Sequence, residues 1–322
     1  MEAISAHIME NSKFKCGIIG TGSFAEVHSQ AAEENSATVL SGVCDIDPQR
    51  SGDFAYKWNT KAFGSVNELL SEAVPDIVAI CSPDETHADI AKEVIEHTNA
   101  PRVLVIEKPL CTSTEQLEML SQLPQDRTRI IVDHSRRFNS AHQRLKKMIE
   151  DNELGTELIS VNWQYYAGWF HTGIHAIDTL RMLLGDLSFV YSKKTQVDRF
   201  PEDPLFDVEL QSEKFPGVRI NLEGIPEKPY MIFECVLLFN KGRIRIHWDD
   251  IFIDREKLDR AKRPALWFDE NFKADSIHKA LDTMYSACTE YLNGGDPEIL
   301  NQVNFEEARK TTEILLAAIE AQ

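Results

Sequence analysis

The chain has 322 residues, 43% of them hydrophobic and 27% charged, with a formal net charge of −18. That length allows two sizeable cores, and the balance is that of an ordinary globular chain. So acidic a protein lacks the basic face that nucleic acid or an anionic membrane needs, and no apolar run approaches the roughly 20 residues of a membrane-spanning helix.

Residues 1–12 carry Glu2, His7 and Glu10 and no basic region ahead of an apolar core. They read as a lead-in to the first strand, not a secretory signal. The apolar run Cys16-Gly-Ile-Ile-Gly20 predicts that strand, Gly20-Thr-Gly-Ser-Phe-Ala25 a tight turn, 24–34 a helix, and 37–44 a second strand ending at Asp45. Strand, glycine turn, helix, strand and acid is the order a dinucleotide site requires. Gly20 permits the sharp turn, and Gly22 lets backbone N–H groups approach a pyrophosphate. The helix start at Ser23 and Phe24 offers unpaired donors to phosphate, and Ala25 lets the helix sit close to the strand. Asp45, about 20 residues on, suits a ribose diol and repels a 2′-phosphate, which favours NAD over NADP. Arg50, one helical turn further, leaves NADP open. The plain alternative is a strand–helix–strand turn with no ligand.

The alternation continues with helices over 48–58, 66–73 and 86–97, a further helix capped by Thr112 or Ser113 and running to 123, and strands over 76–81, 102–106 and 128–133. This spacing predicts a doubly wound parallel sheet, with Asp45, residues 82–87 and residues 107–109 gathered at strand carboxyl ends. From residue 136 the pattern changes. A helix over 140–152 precedes a half-buried strand over 157–166, in which Ile159, Val161, Trp163 and Tyr165 share a face. A helix over 168–184 follows, then strands over 187–198, 206–212, 218–224, 230–239, 243–248 and 251–254, and helices over 276–292 and 304–321. Consecutive strands mean a largely antiparallel sheet. The expected fold is therefore α/β: a Rossmann domain over 1–135 and an α+β domain with a large open-faced sheet over 136–322. A sheet face without helices is usually covered by a partner, here a second copy in a homo-dimer or homo-tetramer. The six cysteines are scattered without C-x-x-C spacing, as expected of reduced thiols in the cytoplasm.

Two stretches carry chemistry. Glu107-Lys108-Pro109 projects an ammonium from a strand end towards the cofactor crevice, where it can steady an alkoxide or act as a base. A solvated surface lysine is the alternative. In 168–178, His171, His175 and Asp178 stand at i, i+4 and i+7, one face of a helix. An imidazole there suits general acid–base work on a hydroxyl. Two His at this spacing also suit zinc, but Thr172 follows His171 where a Glu would stand and no third ligand is evident, so no metal is expected. Histidines satisfied beneath a sheet are the alternative.

With Gly20-x-Gly22-x-x-Ala25, Cys81-Ser-Pro83-x-x-x-His87, Glu107-Lys108-Pro109 and Gly173-Ile-His175-Ala-Ile-Asp178 before Leu183-Leu-Gly185, the chain resembles the Gfo/Idh/MocA oxidoreductase family. The resemblance covers most of residues 13–185, and the later sheet matches in pattern alone. It implies NAD(P)-dependent oxidation of a sugar, polyol or sugar-nucleotide hydroxyl. Lys108 would lie near cofactor and substrate, and His175 would be the general acid–base group. Glu107 and Pro109 would shape the nicotinamide site, with Ser82, Pro83 and His87 flanking the cofactor. Many dehydrogenases of the family carry Asp where His171 stands. His171 and Tyr165 are then substrate-contact candidates, with core or interface packing an equal alternative for Tyr165. Two other readings share the fold: a dinucleotide-binding regulator without turnover, and an NAD-requiring glycosidase.

Overall fold

The computed structural model describes residues 13–124, 126–195, 202–226 and 231–322. The expected lead-in over 1–12 lies outside them, as do parts of the strands expected over 187–198 and 230–239. The first half runs β1 (Phe14–Ile19), α1 (Ser23–Glu34), β2 (Thr38–Cys44), α2 (Pro48–Lys57) and β3 (Ala62–Phe63). Then come α3 (Val66–Glu68), continued by a π turn over Leu69–Ala73, β4 (Ile77–Ile80), α4 (His87–Glu96), β5 (Val103–Glu107), α5 (Thr114–Ser121) and β6 (Arg129–Asp133). These strands form a six-stranded parallel sheet in the order β3-β2-β1-β4-β5-β6. β4 and β5 are buried at every position, which is why they read as continuous apolar runs. Chain order reverses between β1 and β4, so the crevice at their carboxyl ends is where such a sheet takes a ligand.

The second half runs α6 (Ser140–Glu150), β7 (Leu158–Tyr165), a π turn (Trp169–Gly173), α7 (Ile174–Leu184), β8 (Leu187–Lys194), β9 (Phe206–Ser212) and β10 (Arg219–Gly224). It continues with β11 (Glu234–Phe239), β12 (Gly242–His247), β13 (Asp250–Leu258), β14 (Pro264–Lys273), α8 (Ile277–Leu292), α9 (Glu298–Asn301) and α10 (Phe305–Glu320). Eight strands pair in the order β14-β13-β12-β11-β7-β10-β9-β8, antiparallel except for β7 beside β10. Side chains of α6, α7 and α10 join the inner face of this sheet in one core. α8 returns to the first sheet and packs on α1, adding Ala280, Leu281, Met284 and Cys288 to the core there.

Two strands were not expected. β3 is two residues long, and β14 is so exposed that its apolar residues follow no core pattern. The faces of β7 also differ from the alternation. A bulge opposite Leu238/Phe239 turns Leu158 inward and leaves Ile159 50% exposed.

Candidate active site

β1 ends at Gly20, whose φ is +86° and where an added Cβ would lie 2.7 Å from the Ser82 amide nitrogen. Only glycine fits that approach between two strand ends. Gly22 is the N-cap of α1 and makes no side-chain capping bond, so the first amides of the helix have no side-chain partner. Ala25 is fully buried, as close helix–strand packing requires. At the end of β2, Asp45 Oδ2 accepts from the Thr21 N–H and the Thr21 hydroxyl, both at 2.8 Å, and Oδ1 accepts from the Asp47 N–H at 3.0 Å. Burial opposes its ionisation, but these bonds outweigh burial and hold the carboxyl below its usual range. Arg50 stands 3.7 Å from the same carboxylate.

These groups line a cleft of about 780 Å³ that also touches Ser23, Phe24, Ser82, Pro83, His87, Glu107, Lys108 and His171. Uncapped helix amides, a turn that admits no Cβ and a fixed acid at the second strand end fit the diphosphate and ribose of a dinucleotide. His87 serves this cleft from beneath. It is wholly buried, with Nδ1 2.7 Å from the Pro109 carbonyl and Nε2 2.9 Å from the Ser82 carbonyl. It therefore ties the 82–83 loop to Pro109, which follows a cis Lys108–Pro109 bond.

A second hollow of about 370 Å³ adjoins the first, and Ser23, Phe24, Glu107 and Lys108 line both. It adds His175, Asp133, Arg136, Asn139, His142 and Asp249. Lys108 is 7% exposed, and its Nζ donates to the His171 carbonyl at 3.1 Å. His175 is held well below the ordinary imidazole range, first by burial and then by the charges of Arg136 and Lys108. It is thus neutral near pH 7 and able to accept a proton.

The face expected to join His171, His175 and Asp178 does not form. Residues 169–173 are a π turn, so the angular step changes between the two histidines. His171 lines the nucleotide cleft, His175 lines the smaller hollow, and Asp178 is buried in a paired bond to Arg137 at 2.8–3.0 Å. Tyr165 is a correction. It is 0% exposed, its hydroxyl donates to the Phe206 carbonyl at 2.7 Å and accepts from the Phe206 N–H at 2.8 Å, and it cannot reach a sugar.

Three functional candidates escaped the sequence reading: His28, Asp133 and Arg136. His28 Nε2 lies 2.9 Å from Glu107 Oε1 and 3.7 Å from Asp133 Oδ2, and Nδ1 lies 3.1 Å from the Tyr285 hydroxyl. Among the described residues His28, Glu107 and Asp133, not His171 with His175, are the group of ligand-type atoms that converge. Asp133 is a strand carboxyl end like Asp45 and was findable by the same rule. His28 lies on α1 one turn beyond Ala25, and Arg136 follows directly on the last parallel strand.

Residues 14–134 match the model of an oxidoreductase family with an NAD-binding Rossmann fold, Gfo/Idh/MocA. Inositol 2-dehydrogenase 3 of Saccharopolyspora erythraea is 25% identical over 254 residues, 72% of each chain. The 4-carboxy-2-hydroxymuconate-6-semialdehyde dehydrogenase of Sphingobium sp. is 25% identical over 265 residues, 76% of this chain and 82% of that one. Among solved structures, the WlbA dehydrogenase of Bordetella pertussis, in complex with NADH and UDP-GlcNAcA, superposes with a TM-score of 0.77 at 18% identity, covering 96% of this chain and 95% of that one.

Proposed function

We propose, from the match of residues 14–134 to the Gfo/Idh/MocA oxidoreductase family, that the chain is an NAD-dependent dehydrogenase oxidising a CH–OH carbon of a sugar, polyol or sugar nucleotide. The observation that carries the reading is that Lys108 lines both the dinucleotide cleft and the hollow holding His175. A ligand in each would meet at that ammonium. When bound, the nicotinamide supplies the hydride acceptor. This chain positions the alcohol: Lys108, steadied by the His171 carbonyl, donates to the hydroxyl oxygen and stabilises the negative charge that grows there. His175, kept neutral, takes the hydroxyl proton on a ring nitrogen. Asp45 disfavours a 2′-phosphate, which supports NAD, while Arg50 is already drawn to Asp45.

The named substrates of the relatives range from inositol to a carboxylated semialdehyde, and WlbA was solved with a sugar nucleotide, so the substrate class is read from the hollow itself. No helix among the described residues is long and apolar enough to cross a membrane. All six cysteines are unpaired thiols, which suits a reducing compartment such as the cytoplasm. The uncovered face of the eight-stranded sheet is read as a contact between copies.

A screen of polyols, sugars and sugar nucleotides with NAD and NADP in parallel, followed by nicotinamide absorbance, tests the activity. At least one should reduce NAD. His175→Ala and Lys108→Ala should each lower kcat by about 10²–10⁴-fold while NADH binding, read by fluorescence, is unchanged. Undiminished turnover in either variant, or hydrolysis of glycosides with no net reduction, would overturn the assignment.

A further inference from the structure

Arg136 leaves the short 3₁₀ turn Ser135–Phe138 that follows β6, and its neighbour on that turn shows by contrast what it lacks. Arg137 is fully engaged, with Nε and Nη2 donating to Asp178. Other buried or half-buried arginines are engaged too. Arg181 meets Asp186 and Glu307, Arg243 and Arg245 share Asp254, and Arg255 reaches Glu153 and Asp269. Arg136 is half-buried, yet among the described residues it has neither an ion pair nor a hydrogen bond. Its guanidinium lies over the Phe233 ring, 4.9 Å from the centroid, which fixes the plane and satisfies no donor. Burial lowers its pKa to about 10 and leaves it charged at neutral pH.

The acids around it do not answer this charge. Glu107 is bonded to His28, Asp178 is spent on Arg137, and Asp275 accepts the Ser140 N–H at 2.8 Å. Asp249 faces Arg136 from the β12–β13 turn but is exposed and does not close to an ion pair. Lys108, the other cation of the hollow, is held by a carbonyl and not by a carboxylate. A half-buried guanidinium that no protein group answers is met best by a planar oxyanion accepting two parallel N–H bonds.

We propose that the hollow selects a substrate bearing a carboxylate close to the reacting hydroxyl, with Arg136 as the carboxylate anchor: a uronic acid or another hydroxy acid. The inference rests on the reading of Lys108 and His175 as the reacting pair, because Arg136 shares one small hollow with both. An anion held there sits within a few bonds of the carbinol carbon. This favours a carboxylate on the sugar itself over the phosphates of a nucleotide further away.

The test uses the full chain with four matched ligands: a hexose, its uronic acid, the neutral uronamide and the sugar 1-phosphate. Two readouts are taken, NAD reduction and the ligand-induced rise in Tm without NAD. The uronic acid should exceed the amide in kcat/KM by on the order of 10–10²-fold. Arg136→Met, which keeps the stem over Phe233, should remove that preference through KM with kcat little changed. It should also abolish the Tm rise. Asp249→Asn, at an exposed position, should tighten uronate binding several-fold, so the inference stays testable if the Met variant fails to fold. Equal use of amide and acid, or a phosphate preferred over both, overturns the carboxylate anchor and leaves the dehydrogenase reading intact. An Arg136-dependent Tm rise with no reduction of NAD by any ligand supports the anchor and overturns the dehydrogenase reading.

Discussion

Asp133 ends β6 with Oδ2 3.7 Å from His28 Nε2 and with Oδ1 bonded to nothing among the described residues. Burial first, and then the Glu107 charge, push its pKa up to about 7. Burial works against the charge on His28, but the hydrogen bond and charge of Glu107 outweigh it and raise that pKa as well. Between about pH 4 and pH 7 the folded chain therefore binds more protons at Asp133 than the unfolded chain, and stability falls as pH rises through this window. The raised His28 acts in the same direction, its contribution being full below its unfolded pKa and lost as pH climbs through the folded one. Asp133→Asn keeps the shape and removes one of the two titrations. Its denaturation free energy should decline less between pH 5 and pH 8 than that of the parent, the difference reaching a few kcal/mol at most. Parallel curves from urea melts across that range would show that Asp133 is not protonated in the fold. The site was partly legible at this scale. Lys108 and His175, which the sequence singled out at a strand end and within an expected helix, line one hollow together. For Tyr165, sugar contact and core packing stand level in the sequence, and the face it shares with Val161 and Trp163 decides for the core. Arg136 was missed because a lone arginine in a turn shows no sign of being unpartnered until its neighbours are placed.

The turn from β1 into α1 is the element most fully written in the chain. Its glycines, small residue and acid occupy the positions that the geometry uses, and the structure adds the reason Gly20 tolerates nothing else: a φ of +86° and a neighbouring backbone 2.7 Å from any Cβ. Gly20→Ala should push the 81–82 strand end away from α1. The expected cost is about 1–3 kcal/mol in stability and a more than tenfold weaker NADH affinity, read by chemical denaturation and fluorescence titration. An unchanged affinity would mean that the turn does not hold the diphosphate. The π turn Trp169–Gly173 shows the opposite case. A helix with 3.6 residues per turn and one that locally takes an extra residue have nearly the same apolar pattern over a single turn, so the sequence assigned His171 and His175 to one face. What fixes the π turn is tertiary: Asp203, remote in the chain, accepts the amides of Trp169, Phe170 and His171 at 2.7–2.9 Å.

At the scale of the whole molecule, α10 touches α5 and β6 of the first sheet and α7 and β8 of the second. It joins the two layers across the side of the molecule away from α8. The alternation of strands and helices made both sheets legible. The return of α8 to the first sheet was not, because an amphipathic helix does not say which core receives its apolar face. Among the described residues the eight-stranded sheet keeps one face free of helices, and there Ile159, Val190 and Tyr191 are 50%, 43% and 55% exposed. The same face carries Asp207, Glu209 and Glu223, with Asn162 and Gln164 between them. A face that mixes apolar and polar groups suits an isologous contact, where the same patch meets itself across a two-fold axis. Light scattering at micromolar concentration should give two or four times the mass of one chain. Ile159→Asp sets two carboxylates close to one another in such a contact and should shift the population to single chains, with the fold judged intact by circular dichroism. Because the hollows holding Lys108 and His175 share no residue with this face, NADH affinity in the variant should stay within a few-fold of the parent. A single-chain mass for the parent protein would refute the contact and leave Ile159 as an isolated exposed side chain, exposed only because the β7 bulge turns it outward.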